Sequence, residues 1–372
     1  MITLVAGTRP NFMKIAPVWR ALRRRGIPTR IVHTGQHFDA SMSDVFFRDL
    51  VLPDPDVRLD VGGGSHAEQT AAVLVGVERE LIAHRPRALV VVGDVTSTMA
   101  SALAASKIGV SVVHVEAGLR SRDWTMPEEI NRVVTDQLSD LLLTPSNDAT
   151  SNLLAEGIDS QRIVFVGNVM IDSLQHALAQ TTDVVQRLAL QEERYAVLTL
   201  HRPANVDDEA SMNATIAAVK ALSSRIVTVF PVHPRTAERI ERLGVAGTLQ
   251  RMARLRMIEP LGYADFVSLV RGATFAATDS GGIQEETTAL GIPCLTMRET
   301  TERPVTVTEG TNTIVGTDVV RISREIDAIL AGLGKRGRIP YGWDGSARER
   351  IADAIERFIA GTPPAKTAAK RT

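Results

Sequence analysis

Asp279-Ser280-Gly281-Gly282-Ile283-Gln284-Glu285-Glu286-Thr287-Thr288-Ala289-Leu290-Gly291-Ile292-Pro293 sits directly behind the apolar run Ala273-Thr274-Phe275-Ala276-Ala277-Thr278. The run reads as a short buried strand. Ile283, Thr287 and Leu290 then fall on one helical face, and Gly291 with Pro293 ends that helix. Strand, Ser-Gly-Gly turn and helix together make a phosphate-type site. Glycine lets the backbone approach a ligand, and a helix start offers free N–H groups and a positive dipole end. Glu285 and Glu286 are placed in the first turn of that helix, where a carboxylate can accept the hydroxyls of a ribose. The competing reading is local: Asp279 and Ser280 cap the helix and the glutamates suit its dipole.

Apolar runs alternate with amphipathic helical stretches through the rest of the 372 residues, the pattern of βα units and a mostly parallel sheet. Ile2–Ala6 opens the series and leads through Gly7-Thr8-Arg9-Pro10-Asn11 into a helix reaching about Arg25. A strand over 30–34, a helix over 41–52 and a helix over 66–84 follow. Gly62-Gly63-Gly64 fits a loose dinucleotide fingerprint, but the preceding 57–60 run is polar and is not the first unit, so a loop is the better reading. Residues 88–92 form a central strand ending in Gly93-Asp94, and 111–115 another ending in Glu116. The pattern restarts beyond Gly167-Asn168: 195–200 ends in His201-Arg202 and 225–230 leads to His233.

This predicts an α/β chain of two Rossmann-like doubly wound domains facing across a cleft, residues 1–168 and 169–344. A last helix over 345–360 buries Ile351, Ile355, Phe358 and Ile359, and the tail 361–372 reads as disordered.

Charge is balanced at 42 basic and 43 acidic residues, and aromatics make up 4%, which argues against nucleic-acid and membrane-surface partners. No run approaches a membrane span, and the first residues enter a strand without a signal-peptide pattern, which predicts a soluble cytoplasmic protein. Cys294 is alone and reads as a small buried hydrophobe. His33 and His37 are four apart, but no clustered Cys or carboxylate completes a metal site, so no metal is expected.

Polar residues recur at the strand ends, where α/β folds keep their ligands: Arg9, His37, Asp94, Glu116, His201, His233 and Glu286. Each has a plainer reading. Asp94 suits a turn, Glu116 has Arg120 as a nearby partner, and Glu128 suits a helix start. His66, His84 and His176 read as exposed helix residues.

Taken together, Gly7-Thr8-Arg9-Pro10, Gly93-Asp94, His114-Val115-Glu116-Ala117-Gly118-Leu119-Arg120, Pro127-Glu128-Glu129-Ile130-Asn131-Arg132, Gly167-Asn168, His201-Arg202, Pro231-Val232-His233-Pro234, the 279–286 stretch and Thr301-Glu302-Arg303-Pro304 resemble the non-hydrolysing UDP-N-acetylglucosamine 2-epimerases. The resemblance implies a GT-B-type fold with the last helix packing on the first domain and a uridine diphosphate site on the second. It implies catalytic roles for Asp94, Glu116, Glu128 and His201. Arg9, His233, Ser280, Gly281, Gly282 and Glu286 match the diphosphate and ribose contacts, and Lys14 and Arg132 match basic residues near the substrate. It further implies a homodimer, a UDP-sugar substrate, no cofactor, and elimination of UDP to a glycal followed by re-addition. Val95 and Val305 stand where many members carry Thr and Glu. A hydrolysing epimerase, an epimerase of a related UDP-acetamido sugar and a glycosyltransferase of the same architecture are the alternatives.

Overall fold

A computed structural model describes residues 1–35, 50–180 and 182–361, apart from the side chains of Arg9 and Pro203. The helix expected over 41–52 therefore falls mostly outside the described residues, as do His37 and residues 362–372; Leu50 and Val51 lie in a turn. The chain divides into two compact units. The first is Met1–Ser173 with the described residues from Tyr341 onward, and the second is Leu174–Pro340.

The first unit is built on seven strands: β1 (Ile2–Ala6), β2 (Thr29–His33), β3 (Val57–Arg58), β4 (Ala88–Val92), β5 (Ser111–Val115), β6 (Leu141–Thr144) and β7 (Ile163–Phe165). They lie in the order β3-β2-β1-β4-β5-β6-β7. All pairs are parallel, with Leu4 of β1 beside Ile31 on one side and Val90 on the other. A parallel sheet covered on both faces needs strands apolar on both sides. Ala88–Val92 meets that need, since all five residues are buried.

The second unit repeats the scheme with β8 (Tyr195–Thr199), β9 (Val227–Pro231), β10 (Leu255–Ile258), β11 (Phe275–Thr278), β12 (Cys294–Thr296) and β13 (Asn312–Ile314). Their order is β10-β9-β8-β11-β12-β13, again all parallel. Each sheet thus winds outward from its first strand in one direction and then the other. The chain leaves β1 and β4, or β8 and β11, toward opposite sides, which opens a crevice at their carboxyl ends.

Helix Arg9–Arg24 follows β1, and helix Ala347–Ala360 packs against it within the first unit. Ile351 and Ile355 are buried as the periodicity predicts, but Phe358 and Ile359 are only half-buried, because the packing thins in the last turn. Helix His66–His84 matches its expected span and starts with a capping box between Ser65 and Glu68, so the preceding glycines are indeed a loop. The run at 57–60 pairs only through Val57 and Arg58. Cys294 is fully buried in β12, and burial pushes its thiol up to about 12. Among the described residues no helix is long and apolar enough to cross a membrane.

Candidate active site

At the first switch point the loop after β1 is tied to the end of β4 by one side chain. Asn11 Oδ1 accepts from the Gly7 and Thr8 N–H groups and the Thr8 hydroxyl, and its Nδ2 donates to the Val92 carbonyl at 3.0 Å. This sets the start of helix Arg9–Arg24 beside Gly93-Asp94. Arg9 begins that helix; its side chain lies outside the described atoms.

Two turns inward on the same helix, Lys14 reaches Glu116 at the end of β5, and the two form a buried ion pair. The pair explains Gly93. A Cβ there would lie 3.1 Å from Lys14 Nζ and 3.3 Å from Glu116 Oε2, and its φ of +68° is left-handed. Glu116 itself adopts φ +72°, a strained value for a residue with a side chain. The plainer alternative, Glu116 paired with Arg120, is not what the structure shows. Arg120 turns instead to Asp136 and to Glu156, both at 2.7 Å.

Asp136 anchors the loop after β5. It is fully buried and accepts from His114 Nδ1 at 2.6 Å, Gly118 N–H at 3.1 Å and Arg120. Burial alone would raise this carboxyl, but His114 and Arg120 outweigh it and hold it below the ordinary range. The other nitrogen of His114 lies 2.8 Å from the Gly93 carbonyl, so this ring links the β4 and β5 ends.

Asp94 receives Arg132 at 2.8 Å, and Asn131 donates to the Asp94 carbonyl. Arg132 and Asn131 come from helix Pro127–Leu138, which begins with Pro at its first position. Neighbouring acids on that helix have separate fates. Glu128 is half-buried. Glu129 is 1% exposed, pairs with Arg132, and accepts from the Ser121 and Arg122 N–H groups. Glu129, Asp136, His114 and Asn11 were not singled out from sequence. The i,i+3 spacing of Glu129 and Arg132 is a signal for Glu129 alone.

The second switch point is organised by Asp279. It does not cap the following helix; Ser280 occupies that position and also makes no side-chain cap. Asp279 is fully buried and accepts from the His201 and Arg202 N–H groups and from Asn205 Nδ2, with His201 Nδ1 3.0 Å away. Burial works to raise this carboxyl, and the His201, Arg202 and Asn205 hydrogen bonds outweigh it and lower it. His233 lies beside His201, ring centroids 5.4 Å apart, and its Nδ1 accepts from Arg235 N–H at the start of helix Pro234–Arg242.

Helix Gly281–Leu290 holds no acid in its first turn, against the expectation that Glu285 and Glu286 lie there. Glu285 and Glu286 fall in the second turn. Glu286 accepts from the Tyr263 hydroxyl at 2.9 Å, and Glu285 pairs with Arg303. The two glycines differ. A Cβ on Gly281 would sit 2.4 Å from Arg303 Nη1, so internal packing requires that glycine. A Cβ on Gly282 would meet no protein atom within 4 Å, so that side of the turn is open to a ligand. Glu302 gathers Arg298, Arg303 and, at 3.7 Å, Arg202 below the same turn. The guanidiniums of Arg202, Arg298 and Arg303 thus lie next to a helix start, paired with Glu302 and Glu285.

Among the described residues no group of three or more His, Cys, Asp and Glu is arranged to hold a metal ion.

The chain is similar throughout to known proteins. Residues 20–356 match the family model described as UDP-N-acetylglucosamine 2-epimerase. A UDP-N-acetylglucosamine 2-epimerase of Methanocaldococcus jannaschii is 38% identical over 94% of this chain and 97% of that protein. A UDP-2,3-diacetamido-2,3-dideoxy-D-glucuronate 2-epimerase of Pseudomonas aeruginosa is 40% identical over 96% of this chain and 99% of its own length. The crystal structure of the M. jannaschii UDP-GlcNAc 2-epimerase in complex with UDP-GlcNAc and UDP superposes with a TM-score of 0.89, covering 96% of this chain and 99% of that one. With the family model matched over residues 20–356 and relatives 38–40% identical over nearly their whole length, the chain belongs to the UDP-N-acetylglucosamine 2-epimerase family.

Proposed function

We propose that the protein interconverts UDP-N-acetylglucosamine and UDP-N-acetylmannosamine by eliminating UDP to a glycal and adding it back. The observation that carries this reading is the separation of charge between the two strand-end sites. Acids stand at the ends of β4 and β5 and on helix Pro127–Leu138, while histidines, arginines and a helix start stand at the ends of β8 and β11.

The chemistry needs both kinds of group. The hydrogen on the acetamido-bearing carbon is not acidic while the ring is neutral. As the bond from the anomeric carbon to the diphosphate lengthens, positive charge grows on the ring and that hydrogen can leave as a proton. Asp94, Glu116 and Glu128 are assigned to stabilise that charge and carry the proton. Ser280, Gly281 and Gly282, with Arg9 and His233, hold the leaving diphosphate so that it can return. Glu286 accepts a ribose hydroxyl, and His201 acts where sugar and diphosphate meet. Lys14 and Arg132 act by fixing Glu116 and Asp94.

A second substrate is favoured by one observation, the 40% identity to a 2-epimerase of a UDP-diacetamido glucuronate. Proton NMR time courses with each nucleotide sugar in heavy water separate the possibilities. Epimerisation of UDP-N-acetylglucosamine with deuterium entering the acetamido-bearing carbon supports the reading. Free N-acetylmannosamine plus UDP marks a hydrolysing enzyme. Turnover of the diacetamido sugar alone reassigns the substrate, and epimerisation without deuterium rules out this route.

A further inference from the structure

The two histidines of the second unit face different partners through the same ring nitrogen. His201 Nδ1 lies 3.0 Å from a carboxylate oxygen of Asp279, which can only accept, so this nitrogen carries a hydrogen. His233 Nδ1 accepts the Arg235 backbone N–H at 3.3 Å, so this nitrogen carries none and the hydrogen sits on Nε2. The rings are neighbours, tilted by 37°.

Asp279 is well placed to impose its half of this arrangement. It is fully buried and tied to both sides of the switch point, through its own N–H to the Thr199 carbonyl and through Asn205, which also donates to the Met297 carbonyl. Thr199 and Thr278 hydroxyls join the same two strand ends at 2.6 Å. The carboxylate grips the backbone N–H groups of His201 and Arg202 as well, so one group holds both the ring and the main chain that carries it. The His201 side chain is one-third exposed.

We infer that Asp279 is a positioning residue which, together with the Arg235 N–H, sets His201 and His233 in opposite tautomers, so that one imidazole presents an acceptor Nε2 and its neighbour a donor Nε2 to the bound nucleotide sugar. The roles follow from the chemistry of the ligand, and this step rests on the proposed function. A phosphate oxygen only accepts and is matched by His233 Nε2–H. A sugar hydroxyl can donate and is matched by His201 Nε2. Two histidines in one tautomer would offer two donors or two acceptors and would not separate phosphate from sugar.

Nitrogen-15 correlation spectra of the full chain, with and without UDP, read the tautomers directly. The expected result is hydrogen on Nδ1 of His201 and on Nε2 of His233. The same tautomer on both rings overturns the inference, whatever any variant does. Asp279→Asn keeps the shape but adds a donor, and His201 should then lose its single tautomer. Turnover should fall on the order of a hundredfold while UDP affinity changes by less than about threefold. Introduced into a His201→Ala chain, Asp279→Asn should cost less than about threefold more, because its effect runs through the ring. Full additivity of the two losses overturns the positioning role. If wild type shows the opposed tautomers and binds UDP but epimerises neither sugar, the functional reading fails and the tautomer assignment stands.

Discussion

The two units share one strand order but arrange their strand-end charges in reverse. At the end of β4 in the first unit the acid faces out: Asp94 is 25% exposed over Arg132, which is 2% exposed, while Glu116 and Lys14 are buried together. In the second the base faces out: His201 is 33% exposed over Asp279 at 0%, and Arg202 22% over Glu302 at 1%. The same crevice of a doubly wound sheet can therefore offer a carboxylate or a cation. Which it offers depends on which member of an ion pair is placed deeper. Under the proposed function the buried partner sets the geometry, and the outer partner is the one assigned to the ligand.

The contrast can be tested most sharply at the acids assigned to the chemistry. Glu116→Gln, Asp94→Asn and Glu128→Gln should each lower turnover by roughly a hundredfold to ten-thousandfold, the range of a lost acid–base group. UDP affinity by calorimetry should hold in all three, and full activity in all three would remove the first unit from the chemistry.

Next come the buried partners. Arg132→Met leaves Glu129 buried and without its cation, which should cost about 3 kcal/mol of unfolding free energy. Arg202→Met, at an outer position, should cost under about 1 kcal/mol and act on UDP binding instead. Equal losses in denaturant melts would show that depth does not divide the roles.

A third comparison lies within one turn. Gly281→Ala must push Arg303 aside and should lose about 1–3 kcal/mol of stability. Gly282→Val has room in the protein itself and should fold normally but bind UDP at least tenfold more weakly, about 1.4 kcal/mol. Unchanged UDP affinity in a folded Gly282→Val chain would take this turn out of the site.

The smallest effect concerns two buried aspartates of opposite habit. Burial pushes Asp172 of the first unit up from 3.8 to about 6, despite hydrogen bonds from the Ala347 and Arg348 N–H groups. The folded chain then binds its proton more readily than the unfolded chain does. Its stabilising contribution is full below 3.8 and lost as pH rises through about 6. His33 runs the other way: burial lowers it to about 4 from 6.5, so its contribution holds above 6.5 and is lost as pH falls through about 4. The two offset each other between about 6 and 4, and Asp172→Asn should steepen the acid loss over that range by up to about 1.4 kcal/mol per pH unit. Asp279 is lowered, so it stabilises above 3.8 and its contribution is lost as pH falls through its folded value; Asp279→Asn should flatten the limb below 3.8. Both substitutions bending the curve the same way would contradict these assignments.

Much of this was legible in the chain. Buried parallel strands must be apolar on both faces, so 88–92 and 111–115 stand out at their observed bounds. Asp94, Glu116 and His201 were visible because they follow such runs. The partners were not. Glu128 and Glu129 are adjacent acids after a proline, and only the helix's rotation sends one into the interior. Gly281 and Gly282 look alike until the Arg303 side chain is in place. Asp279 reads as a cap because caps are local, whereas its real partners lie 74 to 78 residues away. Long-range hydrogen bonds leave no periodicity behind.

The first unit is not contiguous in sequence, and this has a consequence for synthesis. Arg25 bonds Asp353 and Glu356 across 328 and 331 residues, and Asp172 receives N–H groups from 175 and 176 residues further on. Residues 174–340 are complete as a compact unit before helix Ala347–Ala360 leaves the ribosome. The nascent first unit must wait with the face that later covers Ile351 and Ile355 open to water, and with Asp172 lacking its helix start. Contacts this distant form late, because loop closure precedes any reward. The second-synthesised half of the chain is thus the first able to finish folding, and the earliest strands are the most dependent on chaperoning.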